Sequence, residues 1–92
     1  MQKLETITAT GTTDAITLNN FDRLTFASTG DATDYTLTAE VQLVDDSRWY
    51  PAQIMVDKEL YSTRTGARAL RFNCTDLGTA TTIDAEVSGA QL

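Results

Sequence analysis

Hydrophobic and polar residues alternate along most of this chain. From Tyr35 to Leu43 every odd position is apolar, and every even position is Thr, Glu or Gln. Because successive side chains of a strand point to opposite faces, this alternation predicts a strand with one buried and one solvated face. The same alternation in shorter segments predicts further inward residues. They are Ile7 with Ala9; Ile16 with Leu18; Leu24 with Phe26; Ile54 with Val56; Leu70 with Phe72 and Cys74; and Ile83 with Ala85 and Val87.

Turn-forming residues separate these segments at intervals of about 8–12 residues, and no long segment shows an amphipathic helical stripe. The pattern predicts an all-β chain. We expect residues 1–92 to form a single small antiparallel β-sandwich of seven or eight strands, with an immunoglobulin-like or jelly-roll topology.

Two Gly-Thr pairs predict β-hairpins, since glycine readily adopts the positive φ of a tight two-residue turn. The turn at Gly78-Thr79 would place Arg71 opposite Glu86 and would oppose three pairs of inward residues: Leu70 with Val87, Phe72 with Ala85, and Cys74 with Ile83. The turn at Gly11-Thr12 would oppose Ile7 to Ile16.

The apolar content is low for a domain that must stabilise itself. Leu, Ile, Val and Phe account for 20 of the 92 residues, whereas Thr alone occurs 17 times. A chain of this length buries only about 60–65% of its unfolded surface, so its core is thin. We therefore expect the domain to associate with copies of itself or with a larger partner.

Charge restricts the partners. The chain has 13 acidic and 7 basic residues and a net charge of −6. Nucleic acid and anionic membranes are recognised through positive charge, so neither is expected as a partner. The N-terminal segment shows no apolar signal sequence, and we expect synthesis in a cytoplasm without export by such a signal.

Residues that could support catalysis or hold a cofactor or metal are sparse. The chain contains no histidine, and its single cysteine, Cys74, is expected to be buried and inert. Asp84 and Glu86 are expected to be solvated carboxylates, and Asp31 and Asp34 to be turn formers rather than calcium ligands. We therefore expect no enzymatic activity, no catalytic residue, no cofactor and no metal.

Six side chains are candidates for a protein interface. Trp49 and Tyr50 follow a polar turn, and aromatic side chains often anchor interfaces or stack on sugars. Of these two, Trp49 is expected to fill the centre of the sandwich, with the interface as its alternative, and Tyr50 is expected to be exposed. Arginines form bidentate contacts with carboxylates across interfaces. The further candidates are Arg64, Arg68, Arg71 and Phe21.

The arrangement of the whole chain resembles small β-sandwich structural proteins of tailed bacteriophages, most of all head-decoration (cement) proteins. The resemblance lies in the Thr-rich N-terminus followed by residues 15–26, in Trp49-Tyr50-Pro51 and in the alternating segments 68–75 and 83–89. It implies a homotrimer on the virion surface that binds the major capsid protein and bridges capsomers. The alternative is a neck, tail or adsorption-fibre module that recognises a glycan or another virion protein.

Overall fold

The computed structural model describes residues 2–18, 22–45, 47–64 and 66–91, with side chains for all of these except 22, 64 and 91. This part of the chain forms nine strands and contains no helix. The strands are β1 (Gln2–Ile7), β2 (Gly11–Thr12), β3 (Ile16–Thr17), β4 (Asp22–Gly30), β5 (Thr36–Leu43), β6 (Trp49–Met55), β7 (Tyr61–Arg64), β8 (Ala67–Asp76) and β9 (Ile83–Gln91). Without the two-residue strands β2 and β3 the count is seven, within the predicted seven or eight.

The strands form two antiparallel sheets, which confirms the predicted all-β sandwich. The four-stranded sheet has the order β1-β9-β4-β7. The five-stranded sheet has the order β2-β8-β5-β6, and β3 pairs with β8 as well. In the described part of the chain, no helix is long and apolar enough to cross a membrane.

The core lies between the sheets and is built from the inward residues of the long strands. Their alternation is confirmed for Tyr35, Leu37 and Ala39 and for the three-residue sets on β8 and β9. Phe72 lies opposite the small Ala39 of β5 and is fully buried. Where β2 ends and β3 has not yet begun, Thr13 completes the edge of β8: its amide donates to the Phe72 carbonyl, and its hydroxyl accepts from the Phe72 amide.

Both predicted Gly-Thr hairpins are wrong. β8 belongs to the five-stranded sheet, whereas β9 pairs with β1 and β4 in the four-stranded sheet. Gly11 and Thr12 are themselves strand β2 and pair with Cys74 and Asn73. The inward residues of β8 and β9 thus face each other across the core instead of lying side by side in one sheet.

Residues 77–82 carry the chain from one sheet to the other. Gly78 has a φ of +60°, and Ala80 is buried against the core. The carboxylate of Asp34 accepts hydrogen bonds from the Thr79 amide and hydroxyl. The connection is therefore a wide corner held by its neighbours and not a two-residue turn.

A polar cluster closes the same end of the sandwich. The Tyr35 hydroxyl donates to Asp57 Oδ1 over 2.9 Å, so the buried Ser28 hydroxyl, 2.8 Å away, donates to the Tyr35 oxygen. The Gly30 amide also donates to Asp57 Oδ1, over 2.7 Å. Burial, reinforced by the neighbouring Asp57, raises the pKa of Tyr35 to about 12.

Candidate functional site

The outer face of the five-stranded sheet brings three of the predicted interface residues together. Alternation along β5 turns Glu40 and Gln42 away from the core. Glu40 lies opposite Arg71 of β8, and Gln42 lies opposite Trp49 of β6. We call this surface the β8-β5-β6 face; its described side chains are Thr38, Glu40, Gln42, Trp49, Pro51, Ile54, Arg71 and Asn73, with Arg68 at its end.

Arg71 connects the three strands of this face. Its Nε lies 2.7 Å from Glu40 Oε1 in an ion pair, and its guanidinium lies 4.3 Å from the centre of the Trp49 ring. The Asn73 amide donates to the other Glu40 oxygen over 3.4 Å. The two charged side chains are only 25% and 14% exposed, so solvent screens their attraction less than that of a surface pair. Each partner fixes the orientation of the next.

Arg68 and Gln42 extend the same arrangement toward the loop between β5 and β6. Arg68 Nε donates to Gln42 Oε1 over 3.0 Å, and Gln42 Nε2 donates to the Ser47 carbonyl over 2.8 Å. The face therefore presents aromatic, cationic and amide groups in positions set before any partner binds, which lowers the ordering entropy of association.

The structure places the predicted interface residues in different environments. Trp49 is half-buried on the β8-β5-β6 face, so the interpretation that it fills the sandwich centre is wrong. Trp49 lies opposite Gln42, and because opposed residues of paired strands share one face, its side chain points away from the core. Tyr50 is exposed, as expected. Phe21 and the side chain of Arg64 lie outside the described residues. The expected pair of Arg71 with Glu86 is also wrong, because β8 and β9 lie in different sheets.

The sequence interpretation missed three contributors to this face. Glu40 accepts from Arg71, and Asn73 donates to Glu40; the outward positions of both residues in the alternation were the available signal. Ile54 was expected to be buried with Val56, yet it is 67% exposed, whereas Met55 is buried. The pairing of β5 with β6 contains a bulge near Ala39 and Glu40, where the register shifts by one residue. The Met55 side of β6 therefore faces the core.

The acidic residues of the loop between β4 and β5 serve as hydrogen-bond acceptors. The amide and hydroxyl of Thr81 and the Thr82 amide donate to the Asp31 carboxylate. These hydrogen bonds, that of the Thr81 hydroxyl above all, hold the pKa of Asp31 below its usual value. Donation by Thr79 lowers the pKa of Asp34 in the same way. In the described part of the chain, no group of three potential metal ligands occurs.

These lowered pKa values predict a loss of stability in acid. A carboxylate whose pKa is lower in the folded state stabilises the fold above its unfolded pKa, and this contribution disappears as the pH falls through the folded pKa. We expect the Asp31→Asn/Asp34→Asn variant to melt below wild type at neutral pH. The difference in melting temperature should narrow as the pH decreases from about 5 to about 2.

Thermal unfolding followed by circular dichroism at several pH values measures this difference. Asp14→Asn is the matched control, because no described residue donates a hydrogen bond to its carboxylate. A difference that stays constant down to the lowest pH would contradict the assignment of these two carboxylates.

The four-stranded sheet carries a shallow depression of about 430 Å³ on its outer side. Leu4 of β1 and Leu60, which precedes β7, line it together with Thr25 and Ala27 of β4.

Cys74 is buried in the core, where desolvation raises the pKa of its thiol. A buried neutral thiol is a poor nucleophile.

No known protein family matches the chain, and no curated protein sequence matches it either. Among solved structures, the chain is similar to the crystal structure of SPBc2 prophage-derived protein YomS. The TM-score is 0.56 at 10% sequence identity, over 98% of this chain and 96% of that chain. At this identity the likeness concerns the fold, which extends over almost all of both chains.

Proposed function

We propose that this chain is a non-enzymatic structural protein of a bacteriophage virion that decorates the capsid. In this proposal it binds the major capsid protein at the capsid surface as a homotrimer and bridges capsomers. The arrangement of alternating segments, which resembles decoration proteins, supports this function, as does a fold shared with a prophage-derived protein over nearly the full chain.

The observation that carries the proposal is the β8-β5-β6 face. It combines side chains already fixed by one another with an apolar side chain, Ile54, that is 67% exposed. Aromatic and arginine side chains held in place are typical of residues that dominate binding energy. We propose that this face contacts the shell, with Ile54 and Trp49 in the contact.

The described residues offer little for catalysis. Asp84, one of the paired carboxylates considered from the sequence, accepts a hydrogen bond from the Thr6 hydroxyl on an exposed sheet surface. Glu86 lies beside it at the open depression of the four-stranded sheet. Two carboxylates on an open sheet surface have no cleft that would exclude water from a substrate, which favours a structural role.

The alternative, glycan recognition by Trp49 and Tyr50, is less well supported. Sugars bind aromatic residues by stacking on an open ring face. The Arg71 guanidinium covers one face of the Trp49 ring, 4.3 Å from its centre. The aromatic pair therefore offers less stacking surface than the sequence indicated, and an anchor for a protein contact fits it better.

Decoration stabilises a capsid by mass action. A ligand that binds the assembled shell but not its separated subunits stabilises the assembly by RT ln(1 + [L]/Kd) at each site, about 2.7 kcal/mol at a hundredfold excess over Kd. A modest contact repeated over the many sites of a shell thus opposes the internal pressure of packaged DNA. The net charge of −6 discourages association of free copies through unspecific contacts.

A single substitution on the β8-β5-β6 face tests the proposal. We expect Ile54→Asp to weaken binding to shells of the phage that encodes the chain by about tenfold or more, because a charge would enter the contact. Its folding stability should change by only ~0.5 kcal/mol, since the side chain is exposed. Co-sedimentation with purified shells measures the binding, and thermal unfolding measures the stability.

Leu60→Asp is the matched control. Leu60 is 70% exposed and lies beside the four-stranded sheet, away from the β8-β5-β6 face. Its substitution should leave shell binding within about twofold of wild type. Equal binding by wild type and Ile54→Asp would show that this face does not contact the shell, and absence of wild-type binding would contradict the decoration function itself.

A further inference from the structure

Strand β1 is a long strand at an edge of the four-stranded sheet. Among the described residues it pairs with β9 alone, so one side of its backbone has no strand beside it. The other edges are less suited to pairing. β6 contains a bulge and Pro51, which cannot donate a hydrogen bond. β7 spans only the four residues Tyr61–Arg64, and β2 and β3 span two residues each.

The side chains of β1 alternate in a way that favours a second copy of the same strand. Leu4 lies on the outer face and is 55% exposed. Lys3 and Glu5 lie on the opposite face, at the positions paired with the buried Val87 and Ala85. Within the described part of the chain, neither charge forms an ion pair or a side-chain hydrogen bond. An edge strand with inward charges resists unselective pairing, but a partner of complementary charge overcomes that resistance.

We propose that β1 pairs antiparallel with β1 of a second copy of this chain, across a two-fold axis through Leu4. In this register Leu4 lies opposite Leu4 of the second copy. Lys3 lies opposite Glu5 of the second copy, and Glu5 lies opposite its Lys3. The contact continues the four-stranded sheet of one copy into that of the other and places the two exposed Leu4 side chains against each other.

The charges select this register over its neighbours. Moving one strand by two residues in one direction places Lys3 opposite Lys3, and in the other direction it places Glu5 opposite Glu5. Like charges directly opposite each other destabilise a strand pair. A shift of one residue would place Leu4 of one copy on the same face as Lys3 and Glu5 of the other copy. Only the register centred on Leu4 pairs opposite charges on one face and leucines on the other.

This contact is separate from the proposed decoration function and from the three-fold contact of the proposed trimer. A two-fold contact is self-complementary, as most contacts in symmetric oligomers are. On a shell it would link copies that belong to neighbouring trimers, whereas the β8-β5-β6 face would remain available to the capsid. In solution it acts without any shell.

A cysteine substitution tests the two-fold axis directly. Residues opposite each other in an antiparallel pair have Cα atoms about 4.5–5.5 Å apart, which is within the range of a disulfide. We expect Leu4→Cys to form a disulfide-linked dimer under mild oxidation, since each cysteine would meet its own copy. The native Cys74 is buried and provides little background.

The matched controls use the neighbours of Leu4 on the same face. In this register Gln2 of one copy lies opposite Thr6 of the other. Gln2→Cys alone and Thr6→Cys alone should therefore fail to cross-link, because neither variant brings two cysteines together. An equimolar mixture of the two variants should cross-link. Cross-linking of Gln2→Cys or Thr6→Cys alone, or no dimer from Leu4→Cys, would overturn the register.

Charge reversal tests the same contact without cysteines. Sedimentation equilibrium should give wild type a mass that is an even multiple of one chain. Lys3→Glu or Glu5→Lys should each weaken the association by about tenfold or more, since two attractions become two repulsions. The double variant, and a mixture of the two single variants, should associate like wild type.

A monomeric wild type, an odd-numbered assembly, or single variants that associate like wild type would contradict the proposal. These outcomes are distinct from a failure of the decoration function, which is measured by shell binding. A protein that binds shells through the β8-β5-β6 face but does not cross-link at Leu4 would retain the proposed function and lose the β1 contact alone.

Discussion

Phe72→Ala is expected to lower the free energy of unfolding by about 3–5 kcal/mol. Phe72 is fully buried and is the largest of the fully buried side chains among the described residues. Its truncation removes apolar contacts from both sheets and leaves a cavity that the small Ala39 opposite cannot fill. Domains of this kind have total stabilities of ~5–15 kcal/mol, so this loss is at least about a fifth of the total.

Urea denaturation followed by circular dichroism measures this loss. Phe72→Leu is the matched control, because it keeps an apolar side chain in the core and should lose roughly half as much stability or less. A loss of under ~1 kcal/mol for Phe72→Ala at an unchanged m-value would contradict the position of Phe72 at the centre of the sandwich.

Gly78→Ala is expected to lower stability by about 2 kcal/mol or more, through two separate effects. The φ of +60° is unfavourable for a residue with a Cβ, at a cost of about 1–2 kcal/mol. A Cβ at this position would also lie 2.5 Å from Cγ of Asp34 and 2.6 Å from its backbone oxygen. The substitution would therefore push apart the two loops that Asp34 and Thr79 hold together.

Two other glycines separate these effects. Gly66→Ala meets no atom within 4 Å and does not require positive φ, so its stability should stay close to that of wild type. Gly11 has a φ of +128°, but a Cβ there would meet no atom within 4 Å. The stability of Gly11→Ala therefore measures the cost of the backbone conformation without a steric clash. Thermal unfolding should place Gly78→Ala lowest of the three, and a Gly78→Ala variant as stable as Gly66→Ala would contradict the corner described for residues 77–82.

The inner faces of the long strands follow from the alternation of residue types. Leu24 and Phe26, and the inward residues of β8 and β9, are buried as predicted, because burial of one face is a local property of a strand with period two. The sandwich class follows for the same reason: many short half-buried strands close into two packed sheets.

Strand pairing could not be predicted in the same way. The inward residues of β8 and β9 match as neighbours in one sheet and equally well as partners facing each other across the core. The corner depends on hydrogen bonds from Thr79 and Thr81 to Asp34 and Asp31, which are 45 to 50 residues away in sequence. No local pattern contains that information.

The sequence predicts only part of the candidate surface, because the surface also depends on strand pairing. Trp49, Arg68 and Arg71 were identified by residue type, since aromatic and arginine side chains are enriched at interfaces. Their grouping on one face depends on the pairing of β5 with both β6 and β8, which also brings Glu40 to Arg71. The exposure of Ile54 depends on the bulge in the pairing of β5 with β6, which reverses the facing that alternation alone predicted.

A three-dimensional reconstruction of the virion that encodes this chain tests the decoration function most directly. If the chain decorates the capsid, copies of this β-sandwich will lie on its outside, grouped in threes at three-fold and quasi-three-fold positions. The β8-β5-β6 face of each copy should lie against the major capsid protein. Density for the sandwich at the neck or tail alone, or a complete virion without it, would contradict the decoration function.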